Sequence, residues 1–186
     1  MDLSKYKLAP CGYLREGFSS LSDADFIVLG RADQASANQL EGLKKIIRPH
    51  LRSEVPFAEI GYGATGLYDT NFIKIREINE LKGMKVICVA GVASPESFFN
   101  LVDSLEATTL KRYSYPDHYF FNESDVKGLI KEAEELGAFL LTTEKDVVKL
   151  RKMTEYSKLM FLGIEVCFRA GEEDLKDKIS QVIAVQ

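Results

Sequence analysis

The chain has 186 residues, of which 46% are hydrophobic and 28% charged, with both signs spread along it. That profile excludes a disordered chain and suffices for one generous domain, or one domain with a smaller appendage. A formal net charge of −4 offers no broad attraction to phosphate backbones and argues against a nucleic-acid partner, and no apolar run of about 18 residues is present to cross a bilayer.

The N-terminus Met1-Asp2-Leu3-Ser4-Lys5 lacks the apolar core of a signal peptide, so a cytoplasmic chain is expected. Association with a membrane surface stays open, because it needs only an amphipathic patch. Cys11, Cys88 and Cys167 are odd in number and widely spaced, with no C-x-x-C pair, which points to a reducing compartment and to neither zinc nor thioredoxin-like chemistry. Cys88 sits inside Val86-Ile87-Cys88-Val89-Ala90 and reads as a small core residue. Lys111, Arg112, Lys145, Lys149, Arg151 and Lys152 read as a solvated face in preference to a basic patch.

In chain order, a loop and a short helical stretch over about Leu14 to Leu21 precede the strand Phe26-Ile27-Val28-Leu29, ended by Gly30. Leu40, Leu43, Ile46 and Ile47 recur at helical spacing between Ser36 and Leu51. From Val55 to Ile78, apolar residues interleaved with Gly61, Gly63 and Gly66 predict two extended strands and a turn. The run Gly61-Tyr62-Gly63-Ala64-Thr65-Gly66 is no phosphate loop, since it opens no helix and carries no Lys.

After Met84 the pattern becomes regular. A strand over Lys85 to Ala90 leads through Gly91 to a helix with Ser94 as N-cap and Pro95 as its first residue. A strand follows over Thr108 to Tyr113, then a helix from Asn122 with Asp125 at capping spacing. The strand Phe139-Leu140-Leu141-Thr142 runs into Thr143-Glu144-Lys145-Asp146, where Thr143 and Asp146 also stand at capping-box spacing. A last strand, Leu159 to Val166, precedes a helix from about Glu172 to Val182. This alternation predicts an α/β fold, a half-Rossmann-like parallel sheet with ligand-facing loops after Ala90, Tyr113 and Thr142.

Three segments invite a chemical reading. Tyr115-Pro116-Asp117-His118 places a carboxylate beside an imidazole, a hydrogen-bonding and proton-transfer pair, although neighbours in an extended segment point opposite ways and such a step is also common without a role. Thr142-Thr143-Glu144-Lys145-Asp146 offers either an anion site at a helix start, through Thr143 and Lys145, or a plain cap with solvated charges. Arg15 and Glu16 offer either bidentate phosphate or carboxylate binding or a surface ion pair. His50 reads as ordinary surface.

Taken in order, the segments resemble the tetraacyldisaccharide 4'-kinase family over essentially the whole chain. Leu8-Ala9-Pro10-Cys11-Gly12-Tyr13-Leu14-Arg15-Glu16 resembles that family's LPAGPLRE stretch, with Cys11 and Tyr13 in place of its Ala and Pro and Gly17 in place of its second Pro. Ala24-Asp25-Phe26-Ile27-Val28-Leu29 is similar to its ADxxVL strand, and Gly91-Val92-Ala93-Ser94-Pro95-Glu96-Ser97-Phe98-Phe99 to its GIGxPxxFF turn. Tyr115-Pro116-Asp117-His118 is similar to its FPDH, and Leu141-Thr142-Thr143-Glu144-Lys145-Asp146 to its LTTEKD.

The resemblance implies the C-terminal part of such an enzyme: residues 1–54 as a remnant of a P-loop-type α/β core domain, 55–80 as a two-stranded β linker, and 81–186 as the half-Rossmann-like lobe. It implies transfer of the γ-phosphate of ATP, with Mg²⁺, to the 4'-hydroxyl of an acylated disaccharide lipid at the membrane surface. His118 and Asp117 become the catalytic candidates, with Arg15, Glu16, Thr143 and Lys145 near nucleotide or substrate. No G-x-x-x-x-G-K-S/T sequence and no counterpart of the family's DDGFQH motif occur here. The chain alone is therefore expected to be inert and to bind neither ATP nor Mg²⁺ tightly, a separate P-loop chain being a candidate partner. The implied location is cytoplasmic, or peripheral at the inner face of the inner membrane. The rival reading is a non-catalytic module that binds an anion or a partner through its strand-end loops.

Overall fold

The computed structural model describes residues 7–12 and 14–184. Tyr13, in the first of the matching stretches, lies outside the described residues. In chain order the elements are β1 (Ile27–Leu29), α1 (Ala37–Ile47), β2 (Phe57–Tyr68), β3 (Lys74–Arg76), β4 (Lys85–Ala90), α2 (Pro95–Ser104), β5 (Thr108–Ser114), α3 (Glu123–Leu136), β6 (Phe139–Thr143), α4 (Glu144–Leu150), β7 (Leu159–Ala170) and α5 (Glu172–Ala184). The fold is mixed α/β with a mostly parallel sheet, as the alternation of elements predicts. The chain divides into two compact units, a central one from Ala64 to Glu165 and a flanking one formed by the residues up to Gly63 and from Val166 onward.

In the central unit the strand order is β5-β4-β6-β7, all parallel, with β2 beside β7 and β3 antiparallel to β2. β4 is buried from Val86 to Ala90, which is why its sequence is a continuous apolar run. Its side chains still alternate. Val86, Cys88 and Ala90 join Phe98, Phe99 and Val102 of α2, together with Leu141, Met160 and Leu162, in one cluster. Ile87 and Val89 join Val126, Leu129 and Ala133 of α3, together with Leu140, Leu150 and Leu159, in another. Helices therefore cover both faces of the sheet, the arrangement that parallel strands require.

Local chemistry sets the helix boundaries. Asn122 accepts from the Asp125 N–H (2.9 Å) and the Asp125 carboxylate accepts from the Asn122 N–H (3.0 Å), a complete capping box at the start of α3. The helix ends on Gly137, whose φ of 61° is the left-handed C-terminal conformation that glycine adopts without a Cβ penalty. Ser36 and Gln39 form the equivalent box for α1.

In the flanking unit β1 pairs in parallel with β2, and Ile27, Leu29, Ala32, Leu40, Ile47 and Val55 form its core. Lys44 bridges Glu41 and Glu59 at 2.9 and 2.7 Å. The glycine-rich run lies inside β2, extended and without a helix behind it. Two boundaries differ from the sequence reading. The short helix expected over Leu14 to Leu21 is instead a 3₁₀ stretch at Phe18–Asp23, where Ser20 donates its hydroxyl to the Gly17 carbonyl (2.8 Å) in competition with regular backbone bonding. β7 continues past Val166 to Ala170 through residues that are exposed except for the half-buried Phe168 and carry no alternating apolar pattern, and the Arg169 guanidinium there donates to the Ala32 carbonyl.

Burial pushes the Cys88 thiol up to about 11, whereas Cys11 and Cys167 are exposed. A thiol-reactive dye at pH 8 should modify Cys11 and Cys167 in the native protein and reach Cys88 only in denaturant. Because the folded state favours the neutral thiol, the unfolded chain ionises first. Stability from this group is intact below the ordinary thiol value of about 8.5 and should decline as pH rises toward about 11, as urea titrations across that range will read.

Candidate functional site

The strand order reverses direction around β4: the chain steps outward from β4 to β5, then returns across it to β6. In open α/β sheets, ligands bind outside the carboxyl ends of the two strands where this reversal occurs. Here those ends are Ala90, followed by the Gly91 turn into α2, and Thr143, which ends β6 and caps α4 with no intervening loop.

Asp146 occupies this position with 0% of its surface exposed. One carboxylate oxygen accepts from the Gly91 N–H (2.8 Å) and from the Thr143 hydroxyl (2.8 Å); the other accepts from Lys149 Nζ (3.0 Å). Its own N–H donates to Thr143 Oγ1 at 3.2 Å. A Cβ at residue 91 would lie 3.1 Å from Asp146 Oδ1, so glycine is what lets the turn approach the carboxylate. Thr142 is buried too and donates its hydroxyl to the Val89 carbonyl (2.8 Å), locking β6 to β4. Capping-box spacing did locate the pair Thr143 and Asp146. It missed that the carboxylate, while accepting from the capping Thr143 hydroxyl, also joins a turn 55 residues earlier.

The third strand end carries the loop from Tyr115 to Asn122. Its start is anchored by the Tyr115 N–H donating to the Ala90 carbonyl (2.8 Å), and a turn inside it is closed by the Tyr119 N–H donating to the Pro116 carbonyl (3.0 Å). Tyr115, Tyr119 and Phe121 form a ring cluster with centroids 4.7 to 5.3 Å apart. The Tyr119 hydroxyl donates to Asp125 (3.0 Å), which pushes its ionisation above the ordinary phenol value; burial does the same to Tyr115. Lys149 lies 6.0 Å over the Phe121 ring and so touches both this cluster and Asp146.

Asp117 and His118 sit on this rigid turn. His118 has a φ of 60°, and that left-handed backbone overturns the expectation for an extended segment that the two side chains diverge. The His118 N–H donates to Asp117 Oδ1 (3.0 Å), and the imidazole Nε2 stands 3.7 Å from Oδ2. The imidazole is 89% exposed and the carboxylate 47%. Thr143 commits its hydroxyl to Asp146, and Lys145 is exposed on the first turn of α4. Arg15 and Glu16 are exposed in the flanking unit, just after the bridge between Leu8 and Leu14. His50 stacks on Phe18 with centroids 5.2 Å apart. Among the described residues no three His, Cys, Asp or Glu side chains converge as a metal set, and no helix is long and apolar enough to cross a membrane.

Replacing Asp146 with Ala leaves the Gly91 N–H and Lys149 without their buried acceptor and should cost about 3 kcal/mol. Asp146→Asn keeps one acceptor oxygen and should cost visibly less; equal urea midpoints for Asp146→Ala and the unchanged protein would remove Asp146 from this role.

The family model described as Tetraacyldisaccharide-1-P 4'-kinase matches residues 2–184. The tetraacyldisaccharide 4'-kinase of Halothermothrix orenii is 30% identical over 191 residues, covering 94% of this chain and 49% of the relative. That of Rhodospirillum rubrum is 34% identical over 160 residues, covering 86% and 43%. Among solved structures, an "apo" form of LpxK from Aquifex aeolicus in complex with ATP matches the fold with a TM-score of 0.62 at 24% identity, over 96% of this chain and 49% of that one. The chain thus spans about half the length of the curated relatives it matches, and it belongs to the tetraacyldisaccharide-1-P 4'-kinase family.

Proposed function

We propose that this chain is the C-terminal part of an ATP-dependent kinase that phosphorylates the 4'-hydroxyl of tetraacyldisaccharide 1-phosphate in lipid A biosynthesis. The observation that carries the reading is the exposed Asp117–His118 pair, held on a braced turn at a strand end beside the point where the sheet order reverses. In the reaction the sugar hydroxyl loses its proton, its oxygen bonds to the γ-phosphorus, and the bond to the ADP oxygen breaks. His118 meets the acceptor hydroxyl and assists a carboxylate that takes its proton, supplied from outside these residues with the acidic motif that they lack; Asp117 orients the imidazole.

Thr143 and Lys145 meet substrate or nucleotide at the neighbouring strand end, while Arg15 and Glu16 do so on the flanking unit. The 186 residues contain no G-x-x-x-x-G-K-S/T sequence, and among the described residues no three His, Cys, Asp or Glu side chains converge as a metal set. The phosphate-binding groups come from a P-loop segment or chain outside these residues. The protein works at the cytoplasmic face of the membrane that holds its acylated acceptor. The missing loop also favours a second reading, a module that binds an anion or a partner without catalysis.

The purified chain should transfer no phosphate from ATP to the acylated disaccharide; metal-dependent turnover by the chain alone would contradict this. Adding a separately produced P-loop half of a family kinase should restore transfer, and failure to do so would favour the binding module. In the restored enzyme His118→Ala should lower turnover about 100-fold or more with an unchanged melting temperature. Full activity in that variant would remove His118 from the mechanism.

A further inference from the structure

Phe120 is 89% exposed, the most exposed large apolar side chain among the described residues. Its neighbours behave otherwise: Tyr119 is half-buried and Phe121 buried, both turned into the ring cluster with Tyr115. His118 and Phe120 alternate with them and face solvent. The loop cannot readily fold Phe120 away, because Tyr119 is held through Pro116 and Asp125 and Phe121 is packed among α3 and β6 residues. A phenyl ring kept in water at this place has a large gain available when hydrocarbon covers it.

We infer that Phe120 is a specificity-determining residue whose ring packs against the acyl-chain hydrocarbon of the acceptor. This rests on the acceptor reading above. The acceptor is an amphiphile, with a reacting hydroxyl on a sugar that also bears fatty-acyl chains, and the loop presents a matching pair: an imidazole for the hydroxyl and, two residues on, an apolar ring for hydrocarbon. The braced backbone confines the ordering cost at binding largely to the two side chains themselves. A single apolar side chain on a surface is ordinary; one at a braced tip beside the proposed acceptor-binding histidine adds contact to acylated ligands only.

The chain contains no tryptophan, so Phe120→Trp introduces its only indole, excitable apart from the tyrosines, at this tip. The test uses phosphatidylglycerol vesicles with and without tetraacyldisaccharide 1-phosphate, and the soluble deacylated disaccharide 1-phosphate. Unchanged protein should co-sediment preferentially with substrate-loaded vesicles, and Phe120→Ser should weaken that preference about tenfold while leaving the deacylated ligand unaffected. Indole emission from the Phe120→Trp protein should shift to the blue on loaded vesicles only.

If the unchanged protein prefers loaded vesicles but the introduced indole keeps its solvent-exposed emission, or Phe120→Ser binds equally well, the inference fails and the acceptor reading stands. An equal blue shift on plain vesicles would assign the ring to bilayer lipid and overturn the inference. Failure of the unchanged protein to distinguish loaded from plain vesicles, with no binding of the deacylated ligand, would overturn the acceptor reading and the inference together.

Discussion

A buried carboxylate without partners is among the costliest features a core can hold, and the central unit is arranged around having satisfied one. Removing an ion from water costs several kcal/mol even after relaxation, and only good geometry with full hydrogen bonding recovers it. With Asp146 in the interior, Gly91 brings its N–H to the carboxylate with no Cβ to crowd it, Thr143 donates its hydroxyl from the start of α4, and Lys149 pairs from one turn later. One side chain thereby joins the turn after β4 to the junction of β6 and α4. These are the two strand ends that flank the reversal in sheet order, so both share one buried polar anchor.

The third strand end is braced differently. Its loop is held by stacked aromatic rings and by the capping box of α3, whose Asp125 serves both the Asn122 N–H and the Tyr119 hydroxyl. Lys149 couples the two devices, pairing with Asp146 while standing over Phe121. The polar core and the aromatic cluster place Asp117 and His118 on a stiff support while leaving both accessible. A group that must meet a reacting hydroxyl benefits from such preorganisation, because little ordering entropy remains to be lost when substrate arrives. His118 sits in the left-handed region, a cost that the neighbouring bonds hold in place.

The family assignment and the half-length match bear on different questions. Membership follows from ordered similarity along nearly the whole chain. Phosphoryl transfer is electrostatic and positional work that needs groups around the triphosphate, and the sequence of this chain carries no loop of that kind. What the residues here do supply is the chemistry proposed to face the acceptor: an imidazole, a carboxylate beside it, and an exposed aromatic ring.

Much of the architecture was legible in the residues because local physics wrote it there. Buried parallel strands read as apolar runs, and Asn122 with Asp125 at capping spacing announced the start of α3. The 3₁₀ stretch at Phe18–Asp23 and the last residues of β7 were not legible, since serine-rich turns and exposed strand ends have no periodic apolar signal. By itself the sequence determined the alternating α/β plan, the ordered motifs that carry the family, and the candidacy of Asp117 and His118. Only tertiary structure decided that Asp146 is a buried hub joined to the Gly91 turn and not a surface cap, and that the imidazole lies back beside its neighbouring carboxylate. Those outcomes depend on contacts between segments dozens of residues apart and on one left-handed backbone angle, and neither has a local signature in the chain.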